Sequence, residues 1–101
     1  MNQRQKDQAK WRRNDILGFI SRDRKMSFTV NEVFDALTAL NQSRKRLSYP
    51  VSKSAIQRDF KALYKDNLAD IRTSKRITSR GAVRALVTIR ITSQGIKQIS
   101  V

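Results

Sequence analysis

The sequence predicts an α+β domain in which three helices precede a β-hairpin and a short last helix. Two segments, residues 30–40 and 53–66, repeat apolar side chains at helical spacing, which is typical of amphipathic helices. A third segment, Val83 to Thr92, alternates apolar and polar residues and predicts a strand. The period changes after Asn67, so the elements follow the order helix, short strand, helix, helix, hairpin, short helix.

The amino-terminal residues 1–13 form a polar, basic stretch that we interpret as an arm in front of a domain spanning 14–101. Basic termini of this kind often order only when they meet a partner. A first helix is predicted from Asn14 to about Arg22, with an earlier start if Ala9 joins its apolar face. Trp11 is expected to cover the core or to staple against this helix rather than to stack on a ligand.

The second helix has a clear start, because Thr29 followed by Glu32 forms a capping box. Its apolar stripe consists of Val30, Val33, Leu37 and Leu40. The opposite face carries almost no Lys or Arg, as expected of a helix that supports its neighbour. Residues 26–28 just before it are predicted to form a short strand.

The linker 41–51 is longer than the 3 to 4 residues that usually join the helices of a helix-turn-helix. Its basic run is either a solvated loop or a phosphate-contacting loop, and the sequence leaves both open; the run is Arg44, Lys45 and Arg46. Tyr49 is expected to anchor this loop to the core. Pro50 then favours an extended backbone that separates the loop from the next helix.

The third helix is predicted from Lys53 to Asp66, with Ser52 as its N-cap and the pair Ser54 and Gln57 as a second capping option. Its two faces differ in chemistry. The packing face holds Ile56, Phe60 and Leu63, and the opposite face holds Ser54, Arg58, Lys61 and Lys65 with Gln57 at its edge. Asp59 lies away from the basic stripe and is expected to be structural, either paired with a basic residue of the first helix or capping a backbone amide.

The stretch Val-Ser-x-x-Ala-Ile-x-Arg-Asp-Phe-x-x-Leu, residues 51–63, resembles the recognition helix of the DeoR-type winged helix-turn-helix regulators. Phe60 departs from the Leu that is usual there, and a chain of 101 residues leaves no room for the family's sugar-phosphate-sensing domain. The resemblance implies that Ser52, Lys53, Ser54, Gln57 and Arg58 lie at the DNA end of the helix. Adding the basic stripe on its exposed face, we assign base contacts to Lys53, Ser54, Gln57, Arg58 and Lys61, and backbone contacts to Ser52 and Lys65.

The hairpin that follows this helix is expected to act as the wing of such a fold. Its first strand begins at 68–71, its turn spans 79–82, and its second strand is Val83 to Thr92. Its basic residues are assigned to phosphate or minor-groove contacts, although charge also protects an edge strand from pairing; they are Arg72, Lys75, Arg76, Arg80 and Arg84. The following Ile91-Thr92-Ser93-Gln94-Gly95 is similar to the step with which winged-helix regulators enter a short last helix.

Composition favours a polyanionic partner. Lys and Arg number 22 against 8 Asp and Glu, which gives a formal net charge of +14 and an isoelectric point near 11.4. A phosphate backbone fits this charge, because each neutralised phosphate releases counterions. No segment approaches the length of apolar sequence that a membrane-spanning helix needs, and no signal peptide is evident. We therefore expect no membrane partner, and we expect a cytoplasmic, DNA-associated location.

The chemistry of the side chains argues against catalysis and cofactors. Cysteine and histidine are absent, and the carboxylates are scattered among basic residues. The usual ligands for zinc or magnesium and the usual general base are therefore missing. We expect neither an enzyme nor a metal or cofactor site.

Together these observations predict a winged helix-turn-helix domain that binds double-stranded DNA, with a three-helix core, a β-hairpin wing and a short last helix. Transcriptional regulation, as a repressor by occupancy, is the expected role by analogy with the fold. Two alternatives stay open, namely a non-specific architectural or recombination and replication accessory protein, and an RNA-binding winged helix. A homodimer on a palindromic site is open as well.

Overall fold

A computed structural model describes residues 2–43 and 49–99 of the chain. The described elements are α1 (Gln3–Ile20), β1 (Phe28–Thr29), α2 (Val30–Ser43), α3 (Lys53–Lys65), β2 (Ala69–Ile77), β3 (Val83–Ile91) and α4 (Ser93–Ile99). Over these residues the protein is α+β, with four helices and a three-stranded antiparallel sheet. The predicted class and the order of the elements are confirmed.

The first helix begins well before its predicted start at Asn14. Asn2 caps it, because the Asn2 side chain accepts the backbone N–H of Gln5 at 2.9 Å and the Gln5 side chain accepts the N–H of Asn2 at 3.3 Å. This reciprocal capping box satisfies two N–H groups that a helix end leaves open. Trp11 packs against the core from this extended helix, as predicted. The stretch interpreted as an arm is therefore helical from Gln3 and continuous with the rest of α1.

Local signals fix the start of α2 and the end of α3. Glu32 donates its N–H to the Thr29 hydroxyl at 3.1 Å and accepts the N–H of Thr29 at 3.3 Å, which confirms the predicted capping box. At the end of α3, Asn67 has a positive φ of 61°. The N–H of Leu68 bonds to the carbonyl of Leu63 at 2.9 Å, a closure typical of the Schellman motif. This closure turns the chain into β2.

The three strands form a sheet in the order β1, β3, β2. Ala69 lies opposite Ile91 at the inner end of the hairpin, and Ile77 lies opposite Val83 at the outer end. The sequence predicted one apolar face along the whole of the second strand. That face is buried only at its inner end, since Ile91 is 5% exposed whereas Val83 is 63% exposed. The outer half of the hairpin therefore extends beyond the core.

The core draws side chains from α1, α2, α3 and the inner half of the sheet. Its most deeply buried members are Ile16, Leu17, Ile20, Val33, Leu37, Ile56, Phe60, Leu63 and Ile89. Each such side chain contributes roughly 1.5–3 kcal/mol through burial. Because three buried core residues lie on α3, the opposite face of that helix has a fixed orientation toward solvent.

Candidate nucleic-acid interface

The exposed face of α3 lies opposite the side of the helix that packs on the core. Its inner face is closed by buried residues, namely Ala55, Ile56, Asp59, Phe60 and Leu63. Every residue assigned from sequence to contact bases is exposed, and these residues are Lys53, Ser54, Gln57, Arg58 and Lys61. Lys65 is exposed as well. The structure thus brings the predicted base-contacting residues together on one accessible helix face.

The start of α3 is set by Ser52, whose hydroxyl accepts the backbone N–H of Ala55 at 3.1 Å. Of the two capping options in the sequence, the structure uses Ser52. The N-terminal end of a helix carries partial positive charge and attracts anions. Beside it, the ammonium group of Lys53 lies 5.6 Å from the centre of the Phe34 ring, a cation–π contact that orients this side chain.

One side of the exposed face borders α1. Arg58 lines a shallow depression together with Gln8 and Arg13 of that helix. Gln8 and Arg13 are not among the contacts predicted from sequence, because the residues before Asn14 are interpreted there as an arm. The signal that would have found them is the Asn2 to Gln5 capping box, which starts the helix early enough to bring Arg13 beside α3.

The acidic residue of α3 is turned away from this face and neutralised. Asp59 is 3% exposed and pairs with Arg12 of α1. The guanidinium donates two N–H groups to the carboxylate, one of them over 3.1 Å. The expectation that Asp59 is structural is confirmed, and of the two roles left open for it the structure shows the pairing with a basic residue of the first helix. The exposed face of α3 consequently presents cations without a carboxylate between Lys53 and Lys65.

The other side of the exposed face borders the hairpin. Gln57 and Lys61 line a depression with Thr73 of β2 and Val87 of β3. Gln57 also borders a second depression that reaches Ala85. The exposed face of α3 therefore lies between α1 and the hairpin, with Arg58 toward the helix and Gln57 toward the strands.

The basic residues of the hairpin divide between its two faces. Side chains alternate along a strand, so Lys75 and Thr73 share the face that meets α3, whereas Arg72 and Arg76 lie on the opposite face. Arg84 is opposite Arg76 in the register and shares that outer face. Arg80 lies in the turn between the strands, where Gly81 adopts a positive φ of 79°. The sequence grouped these five residues as one set, and strand alternation separates them.

The loop before α3 is only partly described. Arg44, Lys45 and Arg46, for which backbone contact is one of the two roles that the sequence leaves open, lie outside the described residues. Tyr49 is buried, and its hydroxyl donates to a carboxylate oxygen of Asp15 at 2.5 Å. The interpretation of Tyr49 as an anchor of the loop to the core is confirmed.

Comparisons with known proteins identify no relative. No family model matches the chain, and no curated protein or solved structure matches it. Within the described ranges, no group of three or more His, Cys, Asp or Glu is placed to hold a metal ion. No helix among those residues has the length and apolarity needed to cross a membrane. A functional assignment therefore depends on the residues and their arrangement.

Proposed function

We propose that this chain is a winged helix-turn-helix protein that binds double-stranded DNA sequence-specifically, with α3 in the major groove. The observation that carries the proposal is the composition of the exposed face of α3. It presents cations and hydrogen-bonding groups, while the carboxylate of Asp59 is buried against Arg12. A phosphate backbone would repel an exposed carboxylate at this position, so its removal favours an anionic partner.

The arrangement around α3 supports the same reading. β1 lies between α1 and α2 in the chain and pairs with β3, and the hairpin follows α3 directly. This order is typical of winged helix-turn-helix domains, in line with the resemblance of residues 51–63. The major groove is about 12 Å wide and admits one helix. The flanking α1 and hairpin are then placed to contact the backbone on either side.

Base reading is assigned mainly to Arg58 and Gln57. Arginine pairs with guanine and glutamine with adenine through two hydrogen bonds each, which gives roughly 1–3 kcal/mol of discrimination per pair. Because Arg58 faces α1 and Gln57 faces the hairpin, the two should read different base pairs. Backbone contacts are assigned to Ser52, Lys65, Arg72, Lys75, Arg76, Arg80 and Arg84, with Arg13 added from the structure.

We propose that this DNA binding serves transcriptional regulation and that the protein represses transcription by occupying its site. In this proposal the protein is associated with DNA in the cytoplasm, and a palindromic target would indicate a homodimer. The step from DNA binding to repression rests on analogy with other small winged-helix proteins.

The decisive experiment is selection of bound duplexes from a random DNA pool by the full chain, followed by titration of the enriched site against salt. If about 6 phosphates are neutralised, log K should fall with log salt at a slope near −5. A slope near zero would contradict nucleic-acid binding. Equal affinity for unrelated duplexes would instead indicate an architectural protein, and tighter binding of a matched RNA duplex would indicate an RNA-binding one.

Variants separate base reading from backbone contact. Arg58→Ala should abolish preference at one base pair of the selected site, whereas Arg80→Ala should weaken all duplexes evenly and make the salt slope shallower by about 1. Arg22→Ala is the control, because Arg22 is exposed in the groove between α1 and α2, whose lining includes no residue of α3. Unchanged base preference in Arg58→Ala, measured on single-base variants of the site, would show that another face of the domain meets DNA.

A further inference from the structure

The outer end of the hairpin carries an exposed apolar pair. Ile77 and Val83 are direct partners across the two strands, and they are 74% and 63% exposed. Among the described residues they are the most exposed large apolar side chains. Because partners in a ladder project to the same side, the two side chains form one apolar wedge. Such a wedge is stabilised when a partner covers it.

The surroundings of the wedge are strongly basic. Arg76 and Arg84 are the adjacent residues on the opposite face, Arg80 lies in the turn, and Lys75 lies one pair inward on the same face as the wedge. No acidic residue follows Asp70 in the sequence. Two copies of this hairpin end would repel each other at close range. The charge around the wedge therefore fits a polyanion rather than a second copy of the chain.

The wedge lies on the side of the hairpin that meets α3. Lys53 and Gln57 of α3 border a depression with Ala85 of β3. A neighbouring depression continues from Ala85 to Ile77 at the hairpin end, and Arg76 and Arg84 line it as well. One surface therefore leads from the proposed base-reading helix to the wedge. A duplex held by α3 would meet the wedge on the same side of the protein.

We propose that Ile77 and Val83 insert into the minor groove of double-stranded DNA next to the major groove that holds α3. This inference rests on the proposed function and adds a mode of binding to it. Apolar side chains that enter the minor groove partly unstack a base step and bend the duplex by about 20–90°. The surrounding Arg76, Arg80 and Arg84 then contact phosphates. Flexible pyrimidine–purine steps should be preferred where the wedge enters, because they unstack most easily.

The test compares bending of the selected duplex by the wild-type chain and by the double variant Ile77→Thr/Val83→Thr. Threonine keeps the β-branched shape that suits strands and removes the apolar tip. End-labelled duplexes report bending by energy transfer, and a 2-aminopurine placed at successive steps reports unstacking. Ile99→Thr is the matched control, since Ile99 is an exposed apolar residue of α4. Circular dichroism verifies that all variants are folded.

The wild-type chain and Ile99→Thr should bend the duplex and raise 2-aminopurine fluorescence at one step. The double variant should leave the duplex straight and bind roughly tenfold more weakly, because the burial of two apolar side chains in the groove is lost. It should keep the same salt slope, because no charge is changed.

A straight duplex with the wild-type chain, or equal bending by the double variant, would overturn the inference while leaving DNA binding intact. Failure of the wild-type chain to bind any duplex would instead reject the proposed function, and the inference with it. The wild-type chain could also bind phosphatidylserine vesicles. If the double variant lost that binding and still bent the duplex, the wedge would be assigned to a membrane surface and the inference would be overturned.

Discussion

The buried ion pair between Arg12 and Asp59 joins α1 to α3, and removing either partner should strongly destabilise the protein. The Asp59 side chain is 4% exposed and that of Arg12 is 13% exposed. A lone charge left in such a site is poorly solvated, so breaking a buried pair costs about 3–5 kcal/mol. An ordinary polar contact would cost only about 1 kcal/mol.

The two single variants should differ because the partners are buried to different depths. Arg12→Met leaves the more buried carboxylate unpaired. The free energy of unfolding should therefore fall by an amount near the upper end of this range, about 5 kcal/mol. Asp59→Ala leaves unpaired the guanidinium of Arg12, which is the less buried partner at 13% exposure and can gain some water, so the loss of stability should lie near about 3 kcal/mol. For a domain of this size, 3 kcal/mol lowers the Tm by roughly 12–24 °C.

Urea unfolding at fixed salt, followed by far-ultraviolet circular dichroism, measures these losses. Arg4→Met is the control, because Arg4 is an exposed residue of α1 and its replacement should change stability by no more than about 0.5 kcal/mol. The double variant Arg12→Met/Asp59→Leu should regain most of the lost stability, since no unpaired charge remains. This reasoning would be refuted if the free energy of unfolding fell by less than about 1 kcal/mol in both single variants, with its slope against urea concentration unchanged.

Substitutions at four further positions test the local structure through the same unfolding assay. Gly95→Ala should destabilise the protein, because the added Cβ would lie 2.2 Å from the carbonyl oxygen of Leu68. In Gly18→Ala the added Cβ meets nothing within 4 Å, so this substitution should stabilise α1 by up to about 1 kcal/mol. Equal effects of the two substitutions would contradict the close approach at Gly95. Asn67→Ala should cost about 1 kcal/mol at its positive φ, and Asn67→Gly should be nearly neutral; an Ala variant as stable as wild type would argue against that backbone conformation. Ser52→Ala should cost about 0.5–2 kcal/mol by removing the N-cap of α3, and no loss would show that the cap is dispensable.

Features that depend on neighbours along the chain were predictable from the sequence. The capping box of Thr29 with Glu32, the N-cap at Ser52 and the turn around Gly81 all appear where their residues indicated. Each depends on contacts within a few residues, so its signal is contained in a short window. The exposed basic face of α3 was predictable for the same reason, since helical periodicity places residues on faces. The start of α1 was missed because few apolar residues mark its first turns.

The sequence by itself determined the order of the elements, the basic charge and which residues share a face. The tertiary structure decided which faces are covered and which distant residues meet. Arg12 and Asp59 are 47 residues apart, and only the packing of α1 against α3 selects this pair. Alternation in β3 is the same at both ends, yet Ile89 is buried and Val83 is exposed. Periodicity specifies the direction of a side chain, whereas its burial depends on whether another element reaches that far.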